Sequence, residues 1–218
     1  MKSLIAGTSI AILTSAAATS QTYDSVVVSD QVQTGDIFSG QTLDVVEVTE
    51  ATTAVTTATG AAFDGSADGG TLDVRSNQNL QADVTADPRF DAAVSSGAVT
   101  ALTTTATGVT SESNIYGGTL TGVYNQQTGP GRIYSHSHVE APGADVGDVT
   151  ASTQAIGASQ GFGASSSAVG ARVTQTNQAD VVADGGGTYG YVDGAATFAG
   201  AATGTNVTSS GGYGSAER

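Results

Sequence analysis

The segment TTATGAAFDGSADGGTLDVRSNQ, Thr56 to Gln78, returns forty-eight residues later as TTATGVTSESNIYGGTLTGVYNQ, Thr104 to Gln126, with eleven of twenty-three positions identical and no gap. Weaker copies of the first block, TQAIG and GAATG, place the series Gly60, Gly108, Gly157, Gly204 at intervals of 48, 49 and 47 residues. A second series ends in glutamine: SDQ at Gln31, then Asn77–Gln78, Asn125–Gln126 and Asn177–Gln178. A third match, QADVTAD from Gln81 and QADVVAD from Gln178, lies at about twice the interval. Self-similarity at a period of this size marks stacked units, each burying its neighbour, and not one core with layers around it.

Within a unit, TLDV, QADVTAD and AVTALTT alternate apolar and polar residues, the period-two pattern of half-buried strands. No apolar stripe with helical spacing follows residue 20. Valine supplies 23 residues and threonine is abundant, and β-branched side chains suit a pleated surface. DGSADGG, GPG and DGGG read as turns, and Pro88, Pro130 and Pro142 as loops or corners. The sequence therefore predicts an all-β fold: a repetitive β-solenoid, or β-helix, of about four 48-residue units. The units run over about 25–60, 61–108, 109–157 and 158–204 of a domain spanning 21–210, with a flexible tail at 205–218. In such a stack identical positions meet from coil to coil, small side chains fill a narrow interior, and the Asn–Gln pairs can form amide ladders. The variable stretches DGSAD and ESNIY read as outward loops. The rival fold is two β-sandwich domains, whose units are nearer 100 residues. The test between them is whether the TTATG blocks are neighbours in space.

The chain opens with Lys2, an apolar run from Leu4 to Leu13 and small residues from Ser15 to Ser20, the pattern of a signal peptide over residues 1–20, cut after Ala18 or Ser20. The run is too short for the roughly 20 residues a membrane-spanning helix needs. Without Lys2, five arginines face twenty acids, a net charge of about −15 that repels nucleic acid and anionic headgroups. With no cysteine there is no disulfide framework, so cohesion must come from the stacking itself.

Candidate chemistry is sparse. SHSHVEAP puts His136, His138 and Glu140 on one face of a strand, the weak candidates for a metal site. Asp64, Ser66 and Asp68 alternate like the opening of a calcium loop, but the twelfth position is Arg75 where a bidentate Glu is required. ADGGGTYGYVDG, from Ala183, lacks the spacing of a calcium-binding nonapeptide. No cofactor is expected, beyond weak calcium binding by scattered carboxylates. Paired acids such as Asp87 and Asp91 are not held at a defined separation by anything in the sequence, and no catalytic motif is present, so the reading is not an enzyme. Tyr116, Tyr124, Tyr134, Tyr189, Tyr191 and Tyr213 lie near glycines, where rings serve either as sugar platforms or as core.

These features together, the signal, the TTATG and GGTL blocks and the NQ-bearing β repeats, resemble the small secreted holdfast-attachment proteins of stalked alphaproteobacteria. A weaker similarity links them to curli-type subunits, from which this chain departs in its longer unit and in carrying NQ once per unit. The resemblance implies an exported structural protein, at the cell surface or outer membrane, that anchors an adhesive polysaccharide to the envelope. Its implied partners are holdfast or matrix polysaccharide, other envelope attachment proteins and further copies of itself. Two alternative readings are a secreted β-helix that binds or degrades polysaccharide and a calcium-stabilised surface spacer.

Overall fold

A computed structural model of the chain describes residues 10–11, 24–48 and 50–212. The expected signal segment lies outside the described residues except for Ile10–Ala11, and so do Tyr213 and the residues after it. The described residues form strands and no helix: β1 (Ile10–Ala11), β2 (Ser25–Gln33), β3 (Ile37–Val48), β4 (Ala51–Leu80), β5 (Val84–Ser96), β6 (Val99–Thr128), β7 (Arg132–Val146), β8 (Asp148–Ser165), β9 (Ala168–Asn177), β10 (Asp180–Val192) and β11 (Ala196–Gly212). They build two sheets, one ordered β1-β4-β6-β8-β11 with β2 also on β4 and β9 also on β6, the other β10-β7-β5-β3. Every pairing is parallel. Residues 205–212, expected in a flexible tail, lie in β11, where Thr205 to Gly212 pair in register with Ala158 to Ser165 of β8.

The TTATG blocks are neighbours in space: Thr56 pairs with Thr104 and Thr104 with Thr153, so the rival expectation of separate sandwich domains fails the test set for it. A straight strand the length of β4, 30 residues, would span on the order of 100 Å. β4 instead folds back on itself, since Leu80 packs against Gly60. The bend falls at GGTL, where Gly69 and Gly70 have φ of 74° and 70°, and Gly117 repeats it in β6 at 69°. That left-handed region is open to glycine at little cost. Between β8 and β9 the same corner is Ser166, at φ 53° the one non-glycine with positive φ among the described residues.

At the first block, residues 56, 58 and 60 face inward. A Cβ on Gly108 would lie 2.5 Å from the Gly157 carbonyl oxygen and 2.6 Å from Ile133 Cδ1, and one on Gly60 or Gly157 would strike the carbonyl of Gly108 or Gly204. This is why the block keeps its last letter: adjacent backbones sit one strand spacing apart with no room between them. Apolar residues collect in three clusters: Ala58, Leu80, Val84 and Ile133 where the two sheets meet; Leu43, Phe90, Leu102 and Val139 between β5 and the start of β6; and Phe63, Leu72, Ile115 and Tyr124 between the two arms of β4 and β6.

Several local expectations are corrected. DGSAD and ESNIY are not loops: Asp64 to Asp68 pair in register with Glu112 to Tyr116, with Gly65 and Ala67 inward and Asp64, Ser66 and Asp68 outward. Glycine weakens a strand intrinsically, but parallel neighbours override that preference, and for the same reason Asp184 to Gly187 of the expected DGGG turn lie in β10 against β7. Pro88 lies inside β5, and the β5–β7 register omits it, consistent with its missing N–H. Pro142 likewise falls within β7, and only Pro130 lies in a turn.

Candidate functional site

The Asn–Gln stations project in opposite directions. Asn77 and Asn125 point outward; Asn125 Nδ2 donates to Asn77 Oδ1 at 3.0 Å and Asn77 Nδ2 donates to Asp30 Oδ1 at 2.7 Å. Gln78 and Gln126 point inward and are 0% and 1% exposed. Their column has four members: Gln78 Nε2 donates to Gln31 Oε1 at 3.2 Å, Gln126 to Gln78 at 3.1 Å and Gln175 to Gln126 at 2.7 Å. Each amide also donates across the interior to a backbone carbonyl, of Ala62, Thr110, Ser159 and Asn206 in turn. Ser111 Oγ donates to Gln78 Oε1 and accepts from Gln126 Nε2. Such a column satisfies both ends of every buried amide, the condition under which burying it is tolerated.

Asn177 and Gln178 do not continue these columns. Asn125 pairs with Thr174 and Gln126 with Gln175, while Asn177 falls opposite Thr128, whose hydroxyl bonds its side chain. The Gln178 N–H donates to the Thr128 carbonyl at the turn. The spacing signals this, since Gln175 follows Gln126 by 49 residues, close to the repeat, while Gln178 follows by three more. Gln175, which the letter match passed over, is the fourth member.

Tyr124 is the largest fully buried side chain among the described residues, packed edge-on against Phe162 with ring centroids 5.3 Å apart, its hydroxyl 2.8 Å from Ser113 Oγ. Burial pushes its phenol up to about 12, against the opposing effect of the Ser113 hydrogen bond. Of the other tyrosines, Tyr116 and Tyr191 are exposed.

The outer face of the second sheet carries most of the charged chemistry. Along β7, Arg132 lies over Tyr134, which stacks on His136, which stacks on His138. The two imidazoles are nearly parallel with centroids 6.1 Å apart. An imidazole lone pair lies in the plane of its ring, so two stacked, nearly parallel rings do not turn theirs on one ion. The Glu140 carboxylate is bonded by Arg89, and its approach to His138 Nε2 is 3.8 Å. His136 Nδ1 lies 3.8 Å from Asp184, on the neighbouring strand. The metal candidates thus share a face without converging, and no group of three metal-ligating side chains occurs among the described residues. Arg89 Nε donates to both Asp91 oxygens at 3.0 and 2.8 Å. That hydrogen bond, then the charges of Asp91 and Glu140, raise its guanidinium above its ordinary value. Asp87 shares the outward face with Asp91, four residues along a strand and so ~13 Å away, beyond the carboxylate separations of glycoside hydrolysis.

A family model for holdfast attachment protein D matches residues 46–218, from the end of β3 onward, which takes in the β7 face and both columns except their first members, Asp30 and Gln31. The chain belongs to that family. No curated protein and no solved structure matches it significantly. Membership in the holdfast attachment protein D family implies a role in attaching holdfast.

Proposed function

We propose that the protein is an exported structural anchor at the cell surface or outer membrane, a β-solenoid of about four coils that holds adhesive polysaccharide to the envelope. The observation that carries this reading is the match of the holdfast attachment family over residues 46–218. The solenoid is supported by the constant parallel register: Asn125 lies 48 residues beyond its partner Asn77, Gln78 lies 47 beyond Gln31 and Gln175 lies 49 beyond Gln126. A chain that returns to the same wall after each such interval buries strand edges coil on coil, which supplies cohesion without disulfides. The end strands, β2 and β3 at one end and β9, β10 and β11 at the other, have one edge without a strand partner among the described residues. Strand addition at such edges is the physical route to the envelope attachment proteins and further copies expected as partners.

The test is genetic and biochemical. A deletion strain sheds its holdfast into the medium, complementation restores retention, and the protein fractionates with the envelope. Retention of holdfast at the wild-type level in the deletion strain overturns the reading.

A further inference from the structure

The register of the second sheet slips at one level on every rung: between Val45 and Glu47 where β3 meets β5, between Asp91 and Ser95 where β5 meets β7, and between Tyr189 and Tyr191 where β10 meets β7. Bulges bend the strands that carry them. Repeated in neighbouring rungs, they leave an outward trough of about 440 Å³, within the size range of ligand sites. One wall is aliphatic, from Val45, Val46, Ala92, Ala93 and Pro142. The other is a row of register partners, Asp44 beside Asp91 beside Glu140, one carboxylate per strand.

Arg89 also lines the trough, and its Nε bonds Asp91 while Nη2 bonds Glu140, which holds these two carboxylates in place. Ionised carboxylates only accept hydrogen bonds. The lone pairs left over, and those of Asp44, call for a ligand rich in O–H or N–H donors. Three carboxylates against one guanidinium repel an anion. The aliphatic wall calls for an apolar face on the same ligand. A pyranose ring has both, with C–H groups on its faces and hydroxyls around its rim.

We infer that this trough is the polysaccharide contact, and that it takes neutral or amino-bearing pyranose units and rejects uronate units. The inference rests on the anchoring role proposed above and deepens it by naming the face and the sugar class. Titration calorimetry of the full chain tests it with four probes: a neutral cello-oligosaccharide, an amino-bearing chitosan oligosaccharide, an oligogalacturonate and oligolysine. The neutral or the amino sugar binds, and the oligogalacturonate does not. Ala93→Arg, at an exposed position where a long side chain fills the trough, weakens binding at least tenfold. Asp44→Asn, which keeps the shape, also weakens it, while Val123→Thr on the exposed face of β6 does not. Unchanged thermal melts show that the variants fold. Binding of oligogalacturonate or oligolysine alone, of none of the four, or equally by Ala93→Arg and wild type, overturns the assignment. Cells carrying Ala93→Arg separate it from the anchoring role: if they keep their holdfast while the deletion strain sheds it, the sugar contact lies elsewhere and the role stands.

Discussion

Gln126 and Asn125 are adjacent in sequence and each bonds its counterpart on the next strand, yet one column is sealed inside the protein and the other faces water. The inner amides bond each other and the opposite wall. The outer amides can exchange every bond for one to solvent. A net hydrogen bond contributes only about 1 kcal/mol, whereas a buried group left without a partner costs about 1–3 kcal/mol. The same ladder is therefore structural on the inside and close to neutral on the outside, and stacked amides alone do not tell which.

The sharpest challenge to that comparison is aimed at neither column but at the spacing both depend on. Gly108→Ala places a methyl against the Gly157 carbonyl and Ile133, and destabilises the protein by about 3 kcal/mol or more in urea unfolding, because backbone on both sides must shift. A loss below 1 kcal/mol would mean that the strand spacing is not held at that station. Gln126→Ala ranks next. It strips partners from Gln78, Gln175 and the Ser159 carbonyl together, and costs about 3 kcal/mol.

Alkaline titration probes another buried group of the same region. The Tyr124 phenol ionises at about 12 when folded, above the ordinary value of about 10 for the unfolded chain, so its contribution is complete below pH 10. Stability then falls, by about 2 kcal/mol, as pH rises from about 10 toward 12, where the unfolded chain binds fewer protons than the folded one. In Tyr124→Phe this component of the alkaline loss vanishes, which a denaturation series against pH measures. Ser166→Gly relieves a left-handed serine at the corner where β4 and β6 carry glycine, and raises the melting midpoint, by about 1 kcal/mol in stability. Asn125→Ala, on the outer column, changes stability by less than about 0.5 kcal/mol. If Asn125→Ala costs as much as Gln126→Ala, burial is not what separates the two columns.

Much of the fold was legible in the letters because the repeat is a register. Gly60, Gly108, Gly157 and Gly204 stand at the spacing at which their backbones meet, and TLDV and AVTALTT alternate as strands do. Where the letter match and the spacing disagreed, at Asn177–Gln178, the spacing was the better guide, since a ladder is kept by position and Gln175 occupies it. Local propensity reads the glycine-rich segments DGSAD and DGGG as turns, while one parallel neighbour, β6 for the first and β7 for the second, holds them extended.

The outward chemistry was least legible. His136, His138 and Glu140 were found from alternation, but their failure to converge depends on ring orientation and on Arg89, 51 residues from Glu140 in sequence. The trough beside them left no trace in any motif, because it arises from bulges on several strands at one level.

By itself, then, the sequence determined the strand alternation, the 48-residue return and the glycines that let neighbouring backbones touch, since each depends on side-chain size and spacing along one chain. Only the tertiary structure decided which amide column is buried, which glutamine completes it and where the second sheet opens into a trough, because those depend on what faces a residue across the interior or on the adjoining rung, and distance along the chain does not encode that.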